Sequence, residues 1–286
     1  MALPQSIRIT EVGPRDGLQN EKAIVDVDQK IAFIDMLSVS GVPEIEVTSF
    51  VNPSWVPQMA DASEVCSRIN RAPGVLYSAL VPNERGLHAA LESQVDKVAI
   101  FTAASEAFSQ QNTNATIDET FQRFLPVVKQ AREAGLPIRA YVSCVVKCPY
   151  EGAINPKSVL QVVQRLIDLG VDEIDLGETL GVAHPDEIEQ LINIVGECVN
   201  PNCLTLHLHD TEGRALACVE RALTLGVWQF DAACGGLGGC PFAPGAAGNL
   251  ATEQLVSFAQ ELGLETNIDV SVIAKAGLFI ASSLAQ

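Results

Sequence analysis

Short runs dominated by Val, Ile and Leu recur along the chain, separated by longer stretches whose apolar positions return at helical spacing. The runs at 7–12, 45–48, 75–81, 97–101, 138–144, 173–176, 204–209 and 229–232 are short for helices and predict strands. The helical period predicts helices over 28–40, 117–134, 156–169, 185–199 and 212–225, with a terminal helix over 269–284. Several of these segments end in glycine, as in "VSGV", "EAGL", "DLGV" and "TLGV", which suits a left-handed helix cap. Eight strand-then-helix units over about 260 residues match a (β/α)8 barrel in both count and length. A doubly wound sheet is the alternative, but it usually carries GxGxxG after its first strand, and "EVGPRDGLQN" does not read that way. The chain therefore predicts an α/β fold, a (β/α)8 TIM barrel formed as a single domain over 1–286, with an extra C-terminal helix packed outside.

In such a barrel the C-terminal ends of the strands line the catalytic mouth. Arg15 and Asp16 follow the first strand and Glu46 lies within the second. Glu178 and Thr179 follow the sixth, and His207 and His209 close the seventh in "LTLHLHDTEG". Strand side chains alternate, so His207 and His209 share a face about 6.6 to 6.8 Å apart, and their rings can converge on one divalent cation. The alternative is a pair of core histidines bonded to carbonyls; two on one face at this end of a strand favour the cation. Asp16 can add a carboxylate oxygen and Asn249 an amide oxygen. Two nitrogens and two oxygens with room for more suit Mg²⁺ or Mn²⁺, with Zn²⁺ open. Glu46 can pair with Arg15 and hold it in place. After the eighth strand, "CGGLGGCPFAPGAAGN" carries Cys240 among glycines. From its own chemistry this is either a loop needing positive φ or a lid that brings a thiol over a ligand.

Composition narrows the function. Of 286 residues, 48% are hydrophobic and 19% are charged, with no linker-like or low-complexity tract. No apolar run approaches the roughly 18 to 20 residues that span a bilayer. The N-terminus, "MALPQSIRIT", has no signal or transit pattern, which predicts a cytoplasmic protein without a membrane partner. A net charge of −17 argues against nucleic acid but leaves room for an anionic small molecule bound by local charge. The eight cysteines are scattered, as reduced thiols would be. "CVVKC" (Cys144, Cys148) lacks zinc-knuckle spacing, and a redox role there would need exposed, low-pKa thiols.

The stretches "VGPRDGLQNEK", "EVTSFVNPSWVPQMAD", "SCVVKCPYEG", "HLHDTEG" and "GGLGGCPFAPGAAGNLATE" resemble the hydroxymethylglutaryl-CoA lyase family, in order and across nearly the whole chain. The resemblance implies a metal-dependent carbon–carbon lyase acting on an acyl-CoA substrate. The implied reaction cleaves 3-hydroxy-3-methylglutaryl-CoA to acetoacetate and acetyl-CoA in leucine breakdown, and the implied assembly is a homodimer. It also implies Asp16, His207, His209 and Asn249 as metal ligands and Arg15 as the cation facing the thioester oxygen, supported by Glu46. Cys240 becomes a thiol for proton transfer, and Gln19, Asn20 and Lys22 meet the CoA portion. Asp16 and His207 are alternatives for the base. The sequence departs from the family pattern at Lys147, Glu178, Phe242 and Pro244; a glutamate at 178 is expected to reach further into the substrate pocket. Alternatives are a lyase for a longer 3-hydroxy-3-alkylglutaryl-CoA and a non-catalytic barrel that binds acyl-CoA.

Overall fold

A computed structural model describes residues 3–238 and 248–285. Cys240, Phe242 and Pro244 lie outside the described residues. Eight parallel strands close on themselves: β1 (Arg8–Glu11), β2 (Glu44–Ser49), β3 (Leu76–Leu80), β4 (Lys97–Ala103), β5 (Ile138–Ser143), β6 (Glu173–Glu178), β7 (Leu204–Leu208) and β8 (Gln229–Ala232). β1 pairs with both β2 and β8, so the sheet has no free edge, and the doubly wound alternative is excluded. Each predicted strand is present, with ends moved by a residue or two.

The predicted helices are present too. The one over 156–169 matches Pro156–Leu169, started by the Asn155 side chain and ended by Gly170 at φ +99°. Two were predicted too long. Pro185–Val195 stops before Gly196, and Ala215–Thr224 starts three residues late. At that start Gly213 turns the chain at φ +67°, and Asp210 Oδ1 accepts the Ala215 amide at 2.9 Å. Val270–Leu284 is the added C-terminal helix, lying against Val27–Ser38. No helix among the described residues is long and apolar enough to cross a membrane.

Alternation along the strands separates two environments. In β7, Leu204, Leu206 and Leu208 belong to the apolar layer under the helices, while Thr205 and His207 point into the barrel toward Glu173 and Asp231. The barrel interior is accordingly polar rather than filled with aliphatic layers. At its floor, Lys97 bonds Glu44 at 3.1 Å and also reaches Glu173, Arg8 bonds Glu44 at 2.9 Å, and Arg139 contacts Glu173 at 2.5 Å. Arg139 further reaches Asp231 at 2.8 Å and Asp175 at 3.4 Å.

Candidate active site and cation centre

The site is built at the C-terminal rim from turns that follow β1, β7 and β8. After β1 the chain makes a one-turn π-helix, Gly13–Gly17, which carries Arg15 and Asp16 inward. Arg15 is buried. Its Nε donates to Glu46 Oε2, its Nη1 donates to Asp16 Oδ1 at 2.5 Å, and the guanidinium lies 5.1 Å from the Tyr141 ring centre. Burial opposes this cation, but Glu46 and Asp16 outweigh it, so Arg15 remains charged. Glu46 and Arg15 thus form an ion pair inside the barrel.

Asp16 also accepts from Gln19 Nε2 at 3.0 Å and from Asn249 Nδ2 at 2.9 Å. Burial alone would raise its pKa; Arg15, His207, His209 and the Asn249 amide outweigh burial and hold it at about 2. The His207 and His209 rings converge to 5.4 Å between centres. His207 Nδ1 lies 3.2 Å from Asp231 Oδ2, and Nε2 lies 3.7 Å from Asp16 Oδ2. Burial disfavours its cation, yet the Asp231 hydrogen bond and the Asp16 charge raise its pKa. Burial, then the charge of His207, lowers His209 to about 4, so at neutral pH it is an uncharged imidazole with a free lone pair. His209 Nδ1 is buried with no hydrogen-bond partner among the described residues.

Asn249 is positioned by backbone. It bridges His209 in antiparallel fashion, with the Leu250 amide donating to Leu208 and the Asp210 amide to Gly248. Its Nδ2 donates to Asp16 and to the Leu237 carbonyl, so the side chain sits beside the cluster with its amide nitrogen inward. Gly238 passes over it at φ +97°; a Cβ there would meet Asn249 Nδ2 at 2.6 Å.

Asp16, His207 and His209 each place one donor atom within 4.8 Å of the others. That spacing, two imidazoles with a carboxylate, and an orphaned His209 nitrogen fit a divalent cation. Charge points the same way. Arg15 faces two carboxylates, Asp16 and Glu46, leaving the rim one positive charge short when its histidines are neutral.

The site opens into a cavity of about 630 Å³ that Arg15, Asp16, Gln19, Asn20, Tyr141, Thr179, His207 and His209 help to line. Its far wall is apolar, with Phe101, Phe108 and Phe124. Two of the residues singled out from the sequence do not line it. Lys22 is exposed and does not line the cavity. Glu178 is buried and turned away: strand alternation gives the cavity Gly177 and Thr179, while Glu178 Oε2 accepts the Val182 amide at 3.1 Å. Burial pushes that carboxyl up to about 7. The longer side chain thus braces the next loop rather than projecting into the pocket. Cys144 and Cys148 are buried, Cys148 Sγ lies 3.0 Å from Ser105 Oγ, and burial pushes the Cys144 thiol up, which opposes redox reactivity.

Tyr141, Asp231 and Arg139 were not singled out from the sequence. Their signal was present: polar residues at inward positions of β5 and β8, strands otherwise rich in apolar side chains.

Fold and site together define an enzyme-like barrel, with two histidines and one carboxylate that could hold a cation beside a buried arginine at the mouth. The family model described as HMGL-like matches residues 6–280, and the chain belongs to that family. It is 50% identical to the bovine (Bos taurus) protein named hydroxymethylglutaryl-CoA lyase, mitochondrial, over 98% of this chain and 86% of that one. The crystal structure of the HMG-CoA lyase from Brucella melitensis superposes with a TM-score of 0.97 at 46% identity, covering 99% of this chain and 100% of the other. An HMG-CoA lyase from Acinetobacter baumannii, solved with coenzyme A and 3-methylmalate, gives 0.94 at 36% identity, covering 100% and 93%.

Proposed function

We propose that this chain is a lyase that cleaves 3-hydroxy-3-methylglutaryl-CoA to acetoacetate and acetyl-CoA. The observation that carries the reading is the Asp16, His207 and His209 cluster beside Arg15 on one wall of the cavity. The names and near-full coverage of the relatives supply the substrate. Mg²⁺ or Mn²⁺ is the cation we assign, held by these three residues with Asn249 as a further oxygen donor once its amide turns. A divalent cation there supplies Lewis-acid polarisation of the substrate oxygens and acidifies the tertiary hydroxyl.

The chain's own groups perform the remaining work. His207 has Nδ1 against Asp231, so only Nε2 is free to serve a cation. Asp16 has two oxygens, so one can hold the cation while the other takes the C3 hydroxyl proton. Held at about 2, it is a weak base, suited only to a hydroxyl that has been made acidic. As the C2–C3 bond breaks, C3 becomes the ketone of acetoacetate and the bonding electrons pass to the thioester oxygen as an enolate. Arg15 is placed to stabilise that oxygen. Gln19, Asn20 and Thr179 line the route by which the thioester enters. Protonation at C2 then releases acetyl-CoA; the thiol expected to serve there, Cys240, lies outside the described residues. A homodimer and a place in leucine breakdown complete the proposal, on the family resemblance.

The test is direct. Purified protein given 3-hydroxy-3-methylglutaryl-CoA and Mg²⁺ or Mn²⁺ should release acetoacetate and acetyl-CoA in equal amounts, and a chelator should abolish both. No acetoacetate with cation present would overturn the reading.

A further inference from the structure

We infer that Asp231 is the positioning residue that turns His207 toward the cation, by holding Nδ1 so that Nε2 faces Asp16. The inference rests on the reading that His207 ligates a divalent cation. The two residues are register partners on adjacent parallel strands, β7 and β8, and both point into the barrel, so their contact is fixed by the sheet. Asp231 is itself anchored from below. Its Oδ1 accepts Arg139 Nη1 at 2.8 Å, which leaves Oδ2 for the imidazole at 3.2 Å. The Tyr141 hydroxyl lies 3.3 Å from the same Oδ2, and its ring meets His207 edge-on at 88°. A carboxylate salt-bridged to arginine is an acceptor only, so the imidazole must place its hydrogen on Nδ1. Its lone pair is then on Nε2, 3.7 Å from Asp16 Oδ2, at the end where the other ligands gather. A carboxylate behind a metal-bound histidine fixes ring orientation and tautomer in this way.

Asp175, His207 and Asp231 also bring donor atoms within 4.8 Å of one another. That lower group is not a second cation site. The Arg139 guanidinium already lies on both carboxylates, at 3.4 Å from Asp175 and 2.8 Å from Asp231. His207 thus serves one exogenous cation, above it.

Mn²⁺ titration of the purified full chain, wild type against His207→Ala, Asp231→Asn and Asp175→Asn, decides the matter. Asp231→Asn keeps the volume but offers an amide that can donate to Nδ1 and move the hydrogen to Nε2. It should weaken Mn²⁺ binding by about 10- to 100-fold. Asp175→Asn, which leaves Asp231 and its contact with His207 in place, should bind as wild type. Loss in Asp231→Asn alone supports the role; equal losses in both variants, or none in Asp231→Asn, overturn it. Wild-type affinity in His207→Ala would instead overturn the underlying reading. Should Asp231→Asn fail to fold, ¹⁵N-edited NMR of the Mg²⁺-loaded wild type replaces it. A proton on Nδ1 of His207 supports the role, and one on Nε2 overturns it.

Discussion

The floor and the rim of this barrel are both buried and both charged, yet they are built to opposite ends. At the floor, Arg8, Lys97 and Arg139 meet Glu44, Glu173, Asp175 and Asp231. Burial and the neighbouring Asp231 charge push the Asp175 carboxyl up, while Arg139 opposes them. Burial alone would raise Glu173, but Arg139 and Lys97 hold it down to about 2. Among the described residues, the rim sets one cation, Arg15, against two carboxylates, Asp16 and Glu46. Each acidic group of the floor lies against at least one cation, and Glu44 and Glu173 against two or more, whereas two carboxylates of the rim share one. The two meet at Asp231, which takes Arg139 with one oxygen and His207 with the other.

The largest effect that would test this contrast is at the floor. Lys97→Met removes one of the cations bonded to Glu44 and Glu173, leaving them Arg8 and Arg139, and taking one partner out of a buried network in this way should cost about 3 to 5 kcal/mol, read by urea unfolding. A loss below about 1 kcal/mol, the range of a surface pair, would show that the floor pairs contribute no more than surface pairs do. At the rim, Arg15→Gln should slow turnover by about 100-fold or more while Mn²⁺ still binds. A near-normal rate would remove Arg15 from the chemistry and make the two regions alike.

The smallest effect concerns Glu11, which joins the two halves of the rim without contacting the cation ligands. It accepts the Gly13 and Cys234 amides at 2.8 and 2.9 Å and the Thr252 hydroxyl at 2.7 Å. Burial pushes it from 4.5 up to about 7. The folded state therefore binds this proton more tightly than the unfolded chain. Its contribution is complete below the unfolded value and is lost as pH rises toward about 7, at up to about 1.4 kcal/mol per pH unit. Glu178, also raised to about 7, acts in the same direction. Thermal melts of Glu11→Gln should show a shallower decline across that window than wild type; an unchanged slope would assign the titration elsewhere.

Much of this was legible before any coordinates. Alternation in "LTLHLHDTEG" placed both histidines on one face, and the strand count placed that face at a barrel mouth beside Arg15 and Asp16. Glu178 shows the limit. Its position after a strand suggested the pocket, but one residue of register sends a side chain to the opposite face, and Gly177 and Thr179 took the inward positions.

What the sequence determined by itself was local and periodic: which segments are strands, which faces are apolar, and which reactive residues sit at strand ends. Those follow from backbone geometry and side-chain chemistry within a few residues. Tertiary structure alone decided the pairings across the closed barrel, Asp231 with His207, Tyr141 with Glu46 and Asp231, and Arg139 with the floor carboxylates. Such contacts join residues as far as 241 positions apart, as Thr252 and Glu11 show. Their partners are chosen by sheet closure and by the cost of burying an unmatched charge, and neither is written in any single stretch of the chain.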